Sequence, residues 1–202
     1  MKFTIVSGST RVNPQSRKVA QYVEHSIKTN LNAETYLLDL STANLKYWDE
    51  TFWSDYENFD PAWNIARKEL NSSDAIVIVC PEWNGVIPPA VTNFFHLSTK
   101  GELANKPGLI VTVSATMNGV YPVAELRLNS YKNTFINYIP QHVIVRYVGK
   151  VLNNFNVVDG DDDKMIRDRI DYSLRVLNEY AKALIMVRES EVILKNPYPY
   201  GM

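Results

Sequence analysis

Short apolar runs and helix-spaced apolar stripes take turns along this chain. Lys2 to Val6 reads as a buried strand ending at Ser7-Gly8, and Ser16 is placed to cap a helix whose apolar face includes Val19, Tyr22, Val23 and Ile27. Glu34 to Leu40 is a second strand, and Pro61 suits the first turn of a helix running to about Leu70. Ala75 to Val79 is a third strand, rich in β-branched residues, and Pro88-Pro89 opens a helix through Phe94 and Leu97. Leu109 to Val113 gives a fourth strand, Val123 to Phe135 a helix, and His142 to Val148 a fifth strand. The clearest helix is the last one, where Ile166, Ile170, Leu174, Leu177, Ala181 and Leu184 share one face. Strands alternating with helices predict an α/β fold: a doubly wound, five-stranded parallel sheet in the order 2-1-3-4-5 inside three α/β/α layers. One domain is expected over residues 1–190, followed by a tail over 191–202 that is rich in Pro and Tyr from Asn196 onward.

Composition narrows the function classes. The 202 residues are 46% hydrophobic and 21% charged, enough for one sizeable core, and the net charge of −1 gives no general reason to expect nucleic acid or an anionic membrane as partner. A single cysteine, Cys80, excludes an intrachain disulfide; its apolar setting marks it as a small core residue. No signal-peptide pattern and no apolar run near the roughly 20 residues of a membrane helix are present, so a cytoplasmic location is expected.

The chemistry lies in two loops that each follow a strand. Gly8-Ser9-Thr10-Arg11-Val12-Asn13-Pro14-Gln15-Ser16 sets hydroxyls, backbone N–H groups and one arginine before a helix N-terminus, a setting that suits a phosphate. A capped turn with a solvated arginine has the same sequence signature, so both readings stand for this segment alone. It lacks the Gly-Lys-Ser/Thr of a Walker loop, and the chain has no Gly-x-Gly-x-x-Gly. In Pro81-Glu82-Trp83-Asn84-Gly85, Asn84 offers an amide donor and acceptor, Gly85 permits close backbone approach, and Trp83 offers a ring. Doubly wound sheets bind ligands at the carboxyl ends of strands where the winding reverses, which is where these two loops meet.

Taken together the loops resemble the NADPH-dependent FMN reductase family, which includes quinone, azo-dye and chromate reductases. The first family loop, Gly-Ser-x-Arg with a later serine, corresponds to Gly8, Ser9, Arg11 and Ser16. The second, Pro-Glu-Tyr-Asn-Gly-Ser-x-Pro-Gly, corresponds to Pro81, Glu82, Trp83, Asn84, Gly85, Val86, Ile87, Pro88 and Pro89. A third segment, Ser114 to Gly119 followed by Ala124, Leu126 and Arg127, is similar to the loop after the fourth strand. The resemblance spans roughly residues 2 to 150 and implies a flavodoxin-like fold with bound FMN and NADPH or NADH as cosubstrate. It implies Ser9, Arg11, Gln15 and Ser16 around the phosphate, with Pro81, Glu82, Trp83, Asn84 and Gly85 along the isoalloxazine ring. Ser114, Thr116, Asn118 and Gly119 would close the other side. It further implies a homodimer or homotetramer and a small-molecule electron acceptor: a quinone, an azo compound, a flavin or a metal ion. No side chain need act as catalytic acid or base, because the flavin N5 carries the hydride. Trp83 in place of tyrosine, Val86 in place of serine, Val120 where many members have glycine, and Pro14 in the first loop are departures. A non-enzymatic flavodoxin-like carrier or a flavin-binding regulatory module is the alternative function.

Other motifs are plainer. Between residues 45 and 63, Tyr47, Trp48, Phe52, Trp53, Tyr56, Phe59 and Trp63 suit a substrate-side wall, a subunit contact, or a loop packing its own rings. Asp159, Asp161 and Asp163 suggest a calcium loop, but Lys164 and Ile170 stand where it needs glycine and glutamate, so the acidic run is assigned to the start of the last helix. His25, His96 and His142 lack metal-ligand spacing and are read as structural or surface residues, leaving no metal site expected.

Overall fold

A computed structural model of the protein describes residues 1–198; the last four residues of the tail lie outside the described residues. Its elements are β1 (Lys2–Ser7), α1 (Gln15–Ser26), β2 (Glu34–Asp39), α2 (Thr51–Ser54), α3 (Pro61–Asn71) and β3 (Ala75–Pro81). They continue as α4 (Pro89–Leu97), β4 (Pro107–Val113), α5 (Tyr121–Asn129), β5 (Asn137–Val145), α6 (Gly160–Arg188) and α7 (Glu191–Leu194). The five strands form one parallel sheet in the order β2-β1-β3-β4-β5, as the alternation of patterns predicts.

Side chains alternate across the pleat, so each central strand feeds two cores. Val77 and Val79 of β3 pack with Val19, Val23, Ile170, Leu174 and Leu177 under α1 and α6. Ile76, Ile78 and Cys80 point the other way and pack with Trp63, Leu70, Phe94 and Leu126 under α3, α4 and α5. Both faces are covered, which is why β3 and β4 are buried along their whole length and read as largely apolar runs. Each fully buried aliphatic side chain here contributes about 1.5–3 kcal/mol. Cys80 is buried and burial pushes its thiol above the ordinary range, consistent with a core residue.

Three sequence expectations need correction. The fifth strand starts at Asn137, not His142, and ends at Val145, not Val148. Pro140 hides its first half, yet β5 is an edge strand, where a missing N–H is tolerated. The ladder slips there: Gly108 faces Tyr138 and Ile110 faces His142, so β5 bulges over residues 139–141. Arg127 Nη2 donates to the carbonyls of Ile139, Pro140 and Gln141, satisfying the bulged backbone. At the far end Tyr147 adopts a left-handed φ of 46°, which stops the strand. Helix α5 ends at Asn129 rather than Phe135, because Ser130 Oγ turns back to the Leu126 carbonyl and Thr134 Oγ1 to that of Ser130. Ser16 does not cap α1: Pro14 holds the N-cap position in extended conformation, and Ser16 is already inside the helix.

The aromatic segment divides. Phe52, Phe59 and Trp63 are buried in the core beneath α3 and α4, with Phe52 edge-on to Tyr56 and Phe59, while Tyr47, Trp48 and Trp53 stay exposed. Asp161, Asp162 and Asp163 do occupy the first turn of α6. Among the described residues no helix is long and apolar enough to cross a membrane.

Candidate functional site

At the end of β1, Gly8 N–H donates to the Val79 carbonyl at 2.8 Å, locking the first loop to β3. A Cβ on Gly8 would lie 2.6 Å from Val91 Cγ2, so this crossing admits only glycine. Ser9 is buried and its Oγ accepts from Arg11 N–H at 3.2 Å, folding Arg11, Val12 and Asn13 outward as an exposed turn. The amino end of α1 then opens with no side-chain cap and no acidic residue in its first turn. Ser16 Oγ is buried there without a hydrogen-bond partner, as is Ser7 Oγ at the end of β1. Uncapped N–H groups, orphaned hydroxyls and the nearby Arg11 make a pocket suited to an anion. Arg17 points elsewhere, pairing with Asp39 and Ser41.

The second loop is a tight hairpin. Trp83 and Val86 exchange both backbone hydrogen bonds at 3.0 Å, and Asn84 (φ 52°) and Gly85 (φ 81°) form the two left-handed corners between them. This is the type I′ turn for which Asn-Gly is the preferred pair. Conformation alone therefore accounts for both residues, and Val86 serves as a hairpin partner. The third loop is bolted to the second: Glu82 N–H donates to the Val113 carbonyl at 3.1 Å, and Glu82 Oε2 accepts from Gly119 N–H at 2.7 Å. Thr112 Oγ1 donates to the Gly119 carbonyl at 2.6 Å, and Arg146 Nε reaches the Asn118 carbonyl. Ser114 Oγ accepts from Thr116 N–H, and Val148 N–H donates to the Ser114 carbonyl. Val120 has an ordinary right-handed conformation at the start of α5, so that position needs no glycine.

A cleft of about 220 Å³ joins the loops. Of the residues singled out from sequence, Ser9, Arg11, Gln15, Ser16, Pro81, Glu82 and Trp83 line it. Asn84 and Gly85, at the hairpin tip, and Ser114, Thr116, Asn118 and Gly119 are not among its lining residues, and from the third loop Ala115 lines it instead. Val113, Ala115 and Val148 are lining residues that sequence reasoning missed. Ala115 lies inside the third loop already singled out, and the strand register places Val113 at the end of β4 just before it. Gly119 is constrained twice over, by its φ of 104° and by an Ile144 Cγ2 that would sit 2.6 Å from a Cβ. Gly119→Ala is expected to cost about 1–3 kcal/mol; a urea midpoint equal to that of the wild type would refute the constraint.

The NADPH-dependent FMN reductase family matches residues 1–148, nearly three quarters of the chain. The chain belongs to this family. As a family member it is an FMN-dependent NAD(P)H oxidoreductase, with FMN as bound group and a reduced nicotinamide as cosubstrate. An NADPH azoreductase from Bacillus sp. (strain OY1-2) is 24% identical over 162 residues, covering 80% of this chain and 82% of that protein. Among solved structures, the flavoenzyme NAD(P)H:(acceptor) oxidoreductase FerB from Paracoccus denitrificans has a TM-score of 0.72 at 16% identity, with 89% of this chain and 98% of that one covered. An oxidoreductase from Corynebacterium diphtheriae follows the same fold with a TM-score of 0.67 at 14% identity, covering 94% and 98%. The fold of this FMN reductase is thus shared across chains of very different sequence.

Proposed function

We propose that FMN occupies the cleft between the three loops, and that the protein passes reducing equivalents from NAD(P)H to a small planar organic acceptor of the quinone or azo class. The observation that carries the reading is the unpartnered, buried Ser16 Oγ at the uncapped amino end of α1, in the same cleft as Pro81 and Trp83. That pairing of an anion pocket with an aromatic wall fits a phosphate joined to a flat ring system. When bound, FMN supplies hydride acceptance from the nicotinamide and onward delivery of electrons.

The side chains position rather than react. Ser9, Gln15, Ser16 and the helix N–H groups would hold the phosphate, with Arg11 adding charge. Pro81, Trp83 and Ala115 would bound the ring, with Asn84 and Gly85 beside it. Glu82 contributes by fixing Gly119, since its carboxylate is already engaged there. The azoreductase relative supports the acceptor class.

The test is spectroscopic. Protein loaded with FMN should bleach on anaerobic addition of NADPH or NADH and recover its colour with a benzoquinone or an azo dye. Failure to load, or a loaded flavin that never bleaches, would defeat the proposal. Recovery only through a partner protein would defeat the small-acceptor part of it.

A further inference from the structure

A second cavity, of about 330 Å³, lies away from the cleft. The FMN cleft faces the loops that lead into α4 and α5. This cavity lies instead at the carboxyl ends of those helices, against the exposed stretch that carries Trp48 and Trp53. A nine-residue helix is about 13 Å long, so the two sites are separate.

Four aromatic rings line it, and its exposed lining is mainly apolar although the remaining lining residues are polar. Trp48 and Trp53 meet edge-on at 6.1 Å between ring centroids, and Phe95 also lines the cavity. The backbone that carries Trp48 is pinned: its main-chain N–H donates to Asn93 Oδ1 at 2.7 Å, and Nδ2 of the buried Asn93 donates to the Lys46 carbonyl at 3.1 Å. Two polar atoms, Thr99 Oγ1 and Asn133 Oδ1, are buried at the cavity without a hydrogen-bond partner. Lys132 lines the cavity, no acidic side chain does, and Lys100 Nζ stands 4.9 Å from the Trp53 ring. Buried polar atoms are ordinarily satisfied, and small-ligand sites are apolar cavities of this size with a few placed polar groups.

We propose that this cavity binds a small aromatic carboxylate bearing a ring hydroxyl. The ring packs against Trp48, Trp53 and Phe95. The carboxylate pairs with Lys132, and the hydroxyl donates to Asn133 Oδ1. An aromatic cation is disfavoured because no acidic side chain lines the cavity.

Calorimetric titration of the purified protein with 4-hydroxybenzoate tests this. One saturable site per chain is expected, in addition to any flavin site, with phenol and benzoate each weaker by at least about tenfold because each lacks one anchor. Trp48→Ala and Lys132→Glu should each weaken the probe by at least about tenfold and leave FMN affinity unchanged. Lys132 is exposed, so its replacement does not threaten folding. The proposal is overturned by absence of saturable binding at millimolar probe, or by both variants binding as the wild type does. It is equally overturned if sedimentation shows a self-association that Trp48→Ala abolishes while the probe never binds, since the face then belongs to a second copy. Flavin loading is read separately, so failure here leaves the proposed reductase site untouched.

Discussion

Ser16→Asp is expected to lower FMN affinity by about a thousandfold and to destabilise the flavin-free protein modestly. Ser16 is 1% exposed in the first turn of α1, which has neither an acidic residue nor a side-chain cap. Without flavin, a carboxylate at a helix amino end is favourable by about 0.3–1 kcal/mol, which offsets part of the cost of burying it. With FMN it meets a phosphate carrying nearly two negative charges, and like charges placed together cost several kcal/mol. About 4 kcal/mol corresponds to a thousandfold. Ser16→Ala removes only one hydrogen bond to an anion, about 1.5–3 kcal/mol, so it should lose roughly tenfold to a hundredfold. Riboflavin lacks the phosphate and should bind all three proteins alike. Flavin fluorescence titrations measure each of these. Retention of FMN by Ser16→Asp within about threefold of the wild type would remove the phosphate from this helix.

The elements that announced themselves in sequence are those whose environment is uniform. Strands β3 and β4 are buried on both faces and α6 buries one stripe, so their patterns are unbroken and their existence and order could be read directly. Where a second influence acts, the pattern misleads. Pro140 breaks the run of β5, and the strand survives because it lies at the sheet edge and Arg127 caps the bulged carbonyls. Ser16 matches the composition of a cap, but Pro14 already fixes the extended backbone that a cap requires, which frees the Ser16 hydroxyl. The two loops were legible as neighbours because topology brings the ends of β1 and β3 together. Their internal division of labour was not. Asn84-Gly85 looks like ligand chemistry in sequence and is also what a type I′ turn demands, whereas Glu82 looks like a ring contact and both lines the cleft and holds Gly119 through Oε2. Val113, Ala115 and Val148 carry no chemical signal of their own and enter the cleft because β4 ends beside it and the chain after β5 turns back along it.

Arg167→Ala is expected to destabilise the protein by about 3–5 kcal/mol, the usual cost of removing one partner of a buried ion pair. Arg167 and Asp163 are neighbouring turns of α6 with side chains only 8% and 1% exposed, joined Nε to Oδ2 at 2.7 Å. The other guanidinium nitrogens donate to the carbonyls of Phe155, Asn154 and Val157. Asp163 also accepts from Leu152 N–H at 2.7 Å and Asp159 N–H at 2.9 Å, so one pair organises the whole approach to α6. Truncation leaves a buried carboxylate without its cation and three carbonyls without a donor. Burial alone would push the Asp163 carboxyl up, but the N–H groups of Asp159 and Leu152 and the Arg167 guanidinium outweigh it and hold the group below its ordinary value. A lowered carboxyl stabilises the fold above its unfolded value of about 3.9, and that contribution fades as pH falls through the folded value. The gap between wild type and Arg167→Ala should therefore be widest near neutrality and narrow below about pH 4. Urea unfolding at neutral and acid pH reads both. A neutral-pH gap under about 1 kcal/mol, or one that persists unchanged in acid, would show that the pair does not govern this approach. The consequence reaches the cleft, because Lys18 Nζ ties α1 to the Val148 and Val151 carbonyls and to Asn153 in the same segment. A loosened approach to α6 removes the backing of Val148, one wall of the cleft proposed to hold FMN. The variant should accordingly lose FMN affinity at temperatures where its secondary structure, followed by circular dichroism, is still intact.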